Sequence, residues 1–389
     1  MRFRHPDGST VHLSYCTNVH PAETLEGVLA QLEAHCRPVR ERLGIGRLGI
    51  GLWLAADAAR CLRADPAALR ALREALARNG LEVVTLNGFP YQGFGDREVK
   101  YRVYQPDWTH PERLRHTLDL AHLLAALLPQ DVTEGTISTL PLAWRTPFGQ
   151  DAAQRTHQAL TTLVRGLDAL QQQTGTSVRI GLEPEPGCVV ETTADALAPL
   201  SALQGDRIGL CLDLCHLATS FEDPRTALAA LDRARISLPK AQLSAALHAE
   251  EPHLPEVRAA LAAFDEPRFL HQTRTPTATG LAGTDDLAQA LTEGALPRTA
   301  PWRAHFHIPL HAPPPPPLTS TLGVLTDTLA LLVGGPTART HHLEVETYTW
   351  QALPDGQRPR TRGQLADGIA AELTLARDLL IGLGLKELP

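Results

Sequence analysis

The chain has 389 residues, of which 43% are hydrophobic, and its formal net charge is −7 at pH 7. No run of like charge occurs, which disfavours a nucleic-acid partner, and no segment reaches about 18 uninterrupted apolar residues, so no membrane span is predicted. The N-terminal segment lacks the apolar stretch of a signal peptide, and the six cysteines are few for this length. We therefore expect a cytoplasmic protein with reduced thiols.

Short β-type segments alternate with longer helical ones along the chain. The predicted strands cover 11–18, 48–55, 81–91, 134–142, 178–187 and 207–216, with later candidates at 241–248, 303–311 and 341–350. The predicted helices cover 24–44, 66–81, 111–129, 152–175 and 363–384. Such alternation is typical of βα units around a parallel sheet. Eight or nine units favour an α/β (β/α)₈ TIM barrel, predicted as a single domain over 1–389.

Two segments of the second half do not fit a βα unit. Residues 249–300 are rich in Pro, Gly and Thr, and we expect an inserted loop or hairpin that acts as a lid or as a contact between subunits of a homo-oligomer. Residues 312–318, "APPPPPL", predict an extended proline-rich spacer.

The predicted strands become polar where they end, which is the side of a TIM barrel where active sites lie. Glu183 ends the fifth strand, and Asp213 and His216 end the sixth. Gln242 lies in the seventh candidate strand. The comparable places on early strands hold Asn18, His20 and Asn87.

The last two candidate strands carry paired polar residues. Because side chains alternate along a strand, His305 shares a face with His307, and Glu344 shares one with Glu346. Charged groups directed into a barrel are costly unless they are paired or bind a cation. Mixed Glu, Asp, His and Gln donors suit a divalent ion such as Mn²⁺, Mg²⁺, Co²⁺ or Zn²⁺. The sequence therefore predicts a metal centre built from Glu183, Asp213, His216, Gln242, His305, His307 and Glu346.

Each of these residues also has a purely structural interpretation. Glu183 could pair with an interior arginine, Asp213 could cap the next helix, and His216 could be an ordinary core histidine. The two histidines of "HFHIP" could simply line a polar barrel mouth. Cys211 and Cys215 flank Asp213, but their spacing is poor for zinc, and we expect small buried thiols.

Several motifs, taken in order, resemble the xylose-isomerase-like TIM-barrel superfamily, and more narrowly the metabolite-traffic EboE family of the ebo gene cluster. The resemblance covers nearly the whole chain and rests on segments such as "LSYCTNVHPAET", "LNGFPYQGFG", "LEPEPG", "LDLCH", "QLSAAL", "HFHIP" and "LEVETYTW". The superfamily includes sugar isomerases, ketose epimerases and nucleases of the endonuclease IV type. The narrower resemblance implies a role in a cluster that moves or matures a secondary-metabolite precursor.

The resemblance also implies ligand positions. A strand-5 Glu falls on Glu183, a strand-6 Asp on Asp213, and the His of the D-x-x-H pattern on His216. The strand-8 Glu falls on Glu346 or, less well, on Glu344. Superfamily members usually place a His on strand 7, and the candidates for that place are Gln242, His305 and His307.

We expect a metal-dependent isomerase or epimerase that acts on a small hydroxy-carbonyl metabolite. Glu183 and Glu346 would be the catalytic pair that moves a proton between carbon atoms. The side chains expected to shape the pocket are Phe89, Tyr91, Trp144 and Trp350. The alternative is a non-catalytic protein that binds or transfers a metabolite precursor. The acidic net charge disfavours a nuclease.

Overall fold

A closed barrel of eight parallel strands forms the centre of the protein, whose computed structural model describes residues 1–389. The barrel strands are β1 (Thr10–Cys16), β2 (Leu48–Trp53), β3 (Leu81–Asn87), β4 (Glu134–Thr139), β5 (Ser177–Leu182), β6 (Ile208–Asp213), β7 (Lys240–Leu243) and β8 (His342–Val345). Neighbours in the chain pair in parallel, and β8 pairs with β1, His342 opposite His12, to close the barrel. The predicted TIM barrel is confirmed.

Helices cover the outside of the barrel and begin and end at the residues that the sequence favours. Asp65 accepts from the Ala67 N–H and Pro66 follows it, which starts one helix; another ends at Gly175, whose φ of 75° suits glycine. The helices are Leu25–Gln31, Arg37–Leu43, Ala56–Ala64, Pro66–Arg78, Pro111–Leu127, Gln150–Thr174, Leu197–Ser201, Leu214–Thr219, Pro224–Ala234, Pro255–Ala262, Leu287–Leu291, Leu322–Val333 and Arg362–Gly382. None of them combines the length and the apolar character that crossing a bilayer requires.

Between β7 and β8 the chain builds a second, antiparallel sheet of five strands. In spatial order its strands are Gly280–Thr284, Thr273–Thr277, Trp302–Ala304, Leu247–Ala249 and Thr319–Ser320. The predicted strand 241–248 is thus two strands in the structure: its first part belongs to β7, and its last part belongs to strand Leu247–Ala249 of this sheet. The predicted strand 303–311 is not a barrel strand, since only Trp302–Ala304 pairs, and Pro309 has no N–H to extend a ladder.

After the second sheet, the chain returns to the C-terminal end of the barrel. His305 follows its strand Trp302–Ala304 directly, and the His305 N–H donates to the Gln272 carbonyl at 2.9 Å. The Ile308 N–H donates to the Ala245 carbonyl at 2.8 Å, which anchors the segment just beyond β7. These backbone bonds bring the predicted ligand pair "HFH" over the C-terminal ends of the barrel strands.

Apolar side chains of the strands and of the surrounding helices form one main core of 89 buried residues. At the opposite end of the barrel, Arg2–Arg4 pairs antiparallel with β1 and with Lys386–Glu387, and Phe3 is fully buried there. The polar residues that the sequence places at the C-terminal ends of the strands therefore gather at the end of the barrel opposite to this antiparallel extension.

Candidate metal centre

Three carboxylates meet at the C-terminal end of the barrel. Glu183 follows β5, Asp213 ends β6 and Glu346 follows β8, and their oxygens lie within 4.8 Å of one another. All three side chains are buried. Glu183 Oε2 and Asp213 Oδ2 have no hydrogen-bond partner. Buried acceptors without donors are costly, so this group fits a cation.

Electrostatics at this group also favour a bound cation. Burial, and then the neighbouring carboxylates, raise the pKa of Glu183 well above its usual range. Burial, followed by Asp213 and Glu344, raises the pKa of Glu346 to about 8. Like charges and low dielectric both disfavour ionisation, and a divalent ion would reverse both effects.

Two amides orient Glu346. Asn18, just beyond β1, donates to Glu346 Oε1 at 2.7 Å, and Asn87, the last residue of β3, donates to the same oxygen at 2.8 Å. Both donors act on one oxygen and thus leave Oε2 available to a cation. Metal-binding carboxylates are commonly held in this way.

An imidazole group lies beside the carboxylates. His216, three residues after Asp213 on helix Leu214–Thr219, has its Nε2 3.0 Å from Nε2 of His305. His305 Nε2 is in turn 3.2 Å from Nε2 of His307. Asp213, His216 and His307 also offer ligand atoms within 4.8 Å of one another, so the two groups adjoin.

The hydrogen-bond partners of these imidazoles determine their tautomers. His216 Nδ1 lies 2.7 Å from the Pro184 carbonyl oxygen, and His307 Nδ1 lies 2.6 Å from the Glu346 carbonyl oxygen. Because a carbonyl oxygen only accepts, both Nδ1 atoms donate, which in the neutral ring leaves a lone pair on each Nε2.

The third imidazole is assigned through its amide partner. His305 Nδ1 lies 2.8 Å from Gln272 Oε1, while the Gln272 amide nitrogen donates to the Pro186 carbonyl at 2.9 Å. Burial lowers the pKa of His305 well below its usual value and that of His307 to about 4. The Nε2 lone pairs of His305 and His307 thus face His216 Nε2, whose own lone pair is available to a metal ion when that ring is neutral.

A buried network that also lines the cleft adjoins the imidazoles on their Nε2 side. Glu185 Oε2 lies 3.1 Å from His216 Nε2, and the Tyr104 hydroxyl donates to Glu185 Oε1 at 2.8 Å. Gln272 donates to the Tyr104 oxygen at 2.8 Å. Burial alone would lower the pKa of His216, but Asp213 and Glu185 raise it. Sequence reasoning missed this network, although Glu185 lies two residues after Glu183 in "LEPEPG".

Glu344 is not available as the strand-8 ligand. Its Oε1 lies 2.8 Å from Lys240 Nζ, and both side chains are fully buried. Gly51 makes room for this carboxylate, because a Cβ there would lie 1.2 Å from Glu344 Oε2. Gln242 pairs in register with Glu344, and both of its amide atoms are buried without partners. The Gln242 side-chain oxygen thus remains free to bind a metal ion in the barrel interior, but Gln242 does not line the cleft.

Among the remaining residues that the sequence singled out, Cys215 and Phe89 lie close to the metal centre. Cys215 Sγ is within 4.8 Å of the ligand atoms of His305 and His307, but burial raises the pKa of its thiol well above the usual value. Phe89 lines the cleft before the metal centre. The remaining pocket residues were predicted wrongly, since none of them lines the cleft: Tyr91, Trp144 and Trp350. Tyr91 and Trp144 lie on loops and Trp350 lies in the 3₁₀ helix Tyr348–Gln351, and the strand pattern does not predict the course of these segments.

A family profile described as xylose isomerase-like TIM barrel matches residues 45–292. Among solved structures, a xylose isomerase domain protein from Planctomyces limnophilus is 11% identical, aligning 96% of this chain with 97% of its own at a TM-score of 0.51. A D-allulose 3-epimerase from Methylomonas sp. is 12% identical (98% and 100%, TM-score 0.48), and the zinc-bound IolI protein is 14% identical (95% and 98%, TM-score 0.47). No curated protein matches significantly. The profile spans most of the barrel, and the chain therefore belongs to the xylose isomerase-like TIM barrel family.

Proposed function

We propose that the protein is a divalent-metal-dependent isomerase or epimerase of a small hydroxy-carbonyl metabolite. One observation carries the proposal: Glu183 Oε2 and Asp213 Oδ2 are buried without hydrogen-bond partners, and the Nε2 atoms of three histidines converge beside them. A structural polar cluster would be saturated by hydrogen bonds, whereas a ligand set is incomplete until a cation binds.

The cluster of three carboxylates and the cluster of three imidazoles would jointly bind the metal. Glu183, Asp213 and Glu346 supply hard oxygen donors, and the three imidazoles, already oriented by their Nδ1 partners, supply Nε2. Gln242 is a further possible ligand, because its side-chain oxygen has no hydrogen-bond partner. Mixed oxygen and nitrogen donors suit Mn²⁺, Co²⁺ or Zn²⁺ better than Mg²⁺. When bound, the ion would polarise a carbonyl and orient the adjacent hydroxyl.

Glu183 and Glu346 are the groups placed to move the proton. Glu183 has an unpartnered oxygen at the cleft and takes the proton from the carbon next to the carbonyl. The C–H electron pair becomes the C=C bond of an enediolate, and the carbonyl π pair moves to oxygen, which carries the negative charge. Glu346, in its protonated form, returns a proton to carbon, and the carbonyl re-forms. Asn18 and Asn87 restrict the rotation of Glu346 during these transfers.

Within the family, we propose membership of the EboE-type metabolite-traffic group, on the strength of the sequence segments quoted above. A non-catalytic role in binding or transferring a metabolite precursor is the second candidate, favoured by the apolar side chains that line part of the cleft. In that role the metal would anchor the ligand and the two glutamates would transfer no proton.

Metal content and proton exchange test the proposal. We expect purified protein to bind Co²⁺ or Mn²⁺ stoichiometrically and to gain thermal stability. We expect Glu183→Gln to abolish exchange of the α-hydrogen of hydroxy-ketones in D₂O, measured by NMR. Glu293→Gln, an exposed carboxyl, is the matched control. A protein that binds no divalent ion and shows no thermal shift would overturn the proposal. Unchanged ligand binding in both Glu183→Gln and Glu346→Gln, with no exchange in wild type, would favour the binding role.

A further inference from the structure

The cleft in front of the metal centre has two unlike walls. It measures about 510 Å³, counting its open mouth, and 18 residues line it. The inner wall is formed by the proposed metal ligands and their partners. The outer wall is apolar and includes Phe89, Phe94, Val99, Phe269 and Leu270. The walls meet at Tyr348, whose ring centroid lies 4.7 Å from that of His307.

Aromatic rings are concentrated at this outer wall. The chain has only eight phenylalanines, five tyrosines and five tryptophans, yet five of these rings line the cleft. Phe269 lies 4.9 Å from Tyr348 and 5.3 Å from Phe94, centroid to centroid. Phe94, Phe269 and Tyr348 therefore form a continuous aromatic surface, here called the ring wall, which adjoins the ligand imidazole of His307 and which an apolar group of a ligand would contact.

Cations that could recognise a phosphate are absent from the cleft. Lys100 is the only lysine or arginine that lines it, and its ammonium is paired with Asp286. Arg268 lies behind the ring wall, stacked 4.9 Å over Phe269, and it donates to the Phe94 carbonyl at 2.6 Å. A phosphate placed here would lose its water without gaining a charged partner.

On the outer wall, hydrogen-bonding groups for a chain of hydroxyls are also scarce, whereas on the inner wall Asn18 Oδ1 has no partner. The Tyr104 hydroxyl already donates to Glu185. The Tyr348 hydroxyl lies 3.4 Å from His305 Nε2, on the metal side of the cleft. Beyond these two, the outer wall offers carbon atoms, so the distal hydroxyls of a polyol would be desolvated with no replacement partner.

We propose that the substrate joins a metal-chelating pair of adjacent oxygens to an apolar, preferably ring-bearing group, and that it carries neither phosphate nor a polyol tail. The chelating half of this assignment rests on the proposed function. The apolar half rests on the ring wall alone.

Four α-hydroxy acids with the same chelating head test the assignment: lactate, 3-phenyllactate, threonate and 3-phosphoglycerate, titrated calorimetrically into Co²⁺-loaded protein. We expect 3-phenyllactate to bind at least about tenfold more tightly than lactate, because its ring is removed from water, and threonate to bind no more tightly than lactate. 3-Phosphoglycerate should show no advantage over lactate. Threonate or 3-phosphoglycerate binding more tightly than 3-phenyllactate would overturn the assignment.

Variants of the ring wall locate the effect. Phe269→Ala should reduce the preference for 3-phenyllactate to less than about threefold while the affinity for lactate stays the same. Phe269→Leu, which keeps most of the apolar volume, should keep part of the preference if the alanine variant fails to fold. Tyr101→Ala removes an exposed ring outside the cleft and should change nothing. Failure to bind Co²⁺ would refute the metal centre; Co²⁺ binding without the phenyl preference would refute only the substrate assignment.

Discussion

Replacing Lys240 with methionine tests how much the buried Lys240–Glu344 ion pair contributes to the stability of the barrel. Lys240 and Glu344 are both fully buried and lie 2.8 Å apart, on the neighbouring strands β7 and β8. Burial opposes the charge on the lysine, but Glu344 and nearby thiols raise its pKa above the usual value. Lys240→Met leaves the Glu344 carboxylate in the interior without a counter-ion.

The expected loss follows from that isolated charge. Removing one partner of a buried ion pair costs about 3–5 kcal/mol. Unfolding entropy of about 2.1 cal/mol/K per residue gives about 0.8 kcal/mol/K for 389 residues. Lys240→Met should therefore lower Tm by about 4–6 °C. Because the double variant Lys240→Met/Glu344→Leu removes both charges, it should lie within about 2 kcal/mol of wild type.

Scanning calorimetry at one fixed rate measures these differences. The control is Arg60→Met, which breaks an exposed ion pair with Asp57 and should cost less than about 1 kcal/mol. A Lys240→Met variant as stable as the control would refute the reasoning, because it would mean that Glu344 takes up a proton or reaches water at little cost. So would a double variant less stable than either single one.

Three further predictions concern other single positions. Gly51→Ala places a Cβ 1.2 Å from Glu344 Oε2, and we expect a loss of at least about 2 kcal/mol of unfolding free energy. Asn87→Ala removes a donor to Glu346 and should weaken Co²⁺ binding by about 10–100-fold in a calorimetric titration. Burial raises the pKa of Glu372 to about 7 from 4.5, so the folded state binds the extra proton, and its contribution to stability, present below pH 4.5, is lost as pH rises through 7. Glu372→Gln should therefore remove about 3 kcal/mol of that pH dependence, measured by denaturant unfolding at several pH values.

Each of these predictions has a matched control. Gly323→Ala lies in helix Leu322–Val333 with no atom within 4 Å of the new Cβ, and it should not destabilise the protein. Asn79→Ala, at a helix end far from the centre, should leave Co²⁺ affinity unchanged. Glu293→Gln, exposed, should leave the pH profile of stability unchanged. Equal effects in a variant and its control would contradict the corresponding explanation.

The sequence predicts the barrel because its strands are hydrophobic runs separated by helices with recognisable ends. The same pattern places Glu183, Asp213 and Glu346 at strand ends, since the carboxyl ends of parallel strands share one rim. It could not choose between Glu344 and Glu346 with certainty, because that choice depends on Lys240, a residue on another strand.

The sequence by itself determined the barrel, the end at which polar residues gather and the types of donor present there. Only the tertiary structure decided that His305 and His307 arrive from a segment beyond a second sheet and meet His216 with their Nε2 atoms facing one another. The ring wall could not be predicted from the sequence, because Phe94 and Phe269 lie on two separate loops and Tyr348 begins a 3₁₀ helix after β8. Strand and helix periods are local and can be read along the chain, whereas the approach of distant loops depends on how the whole barrel packs.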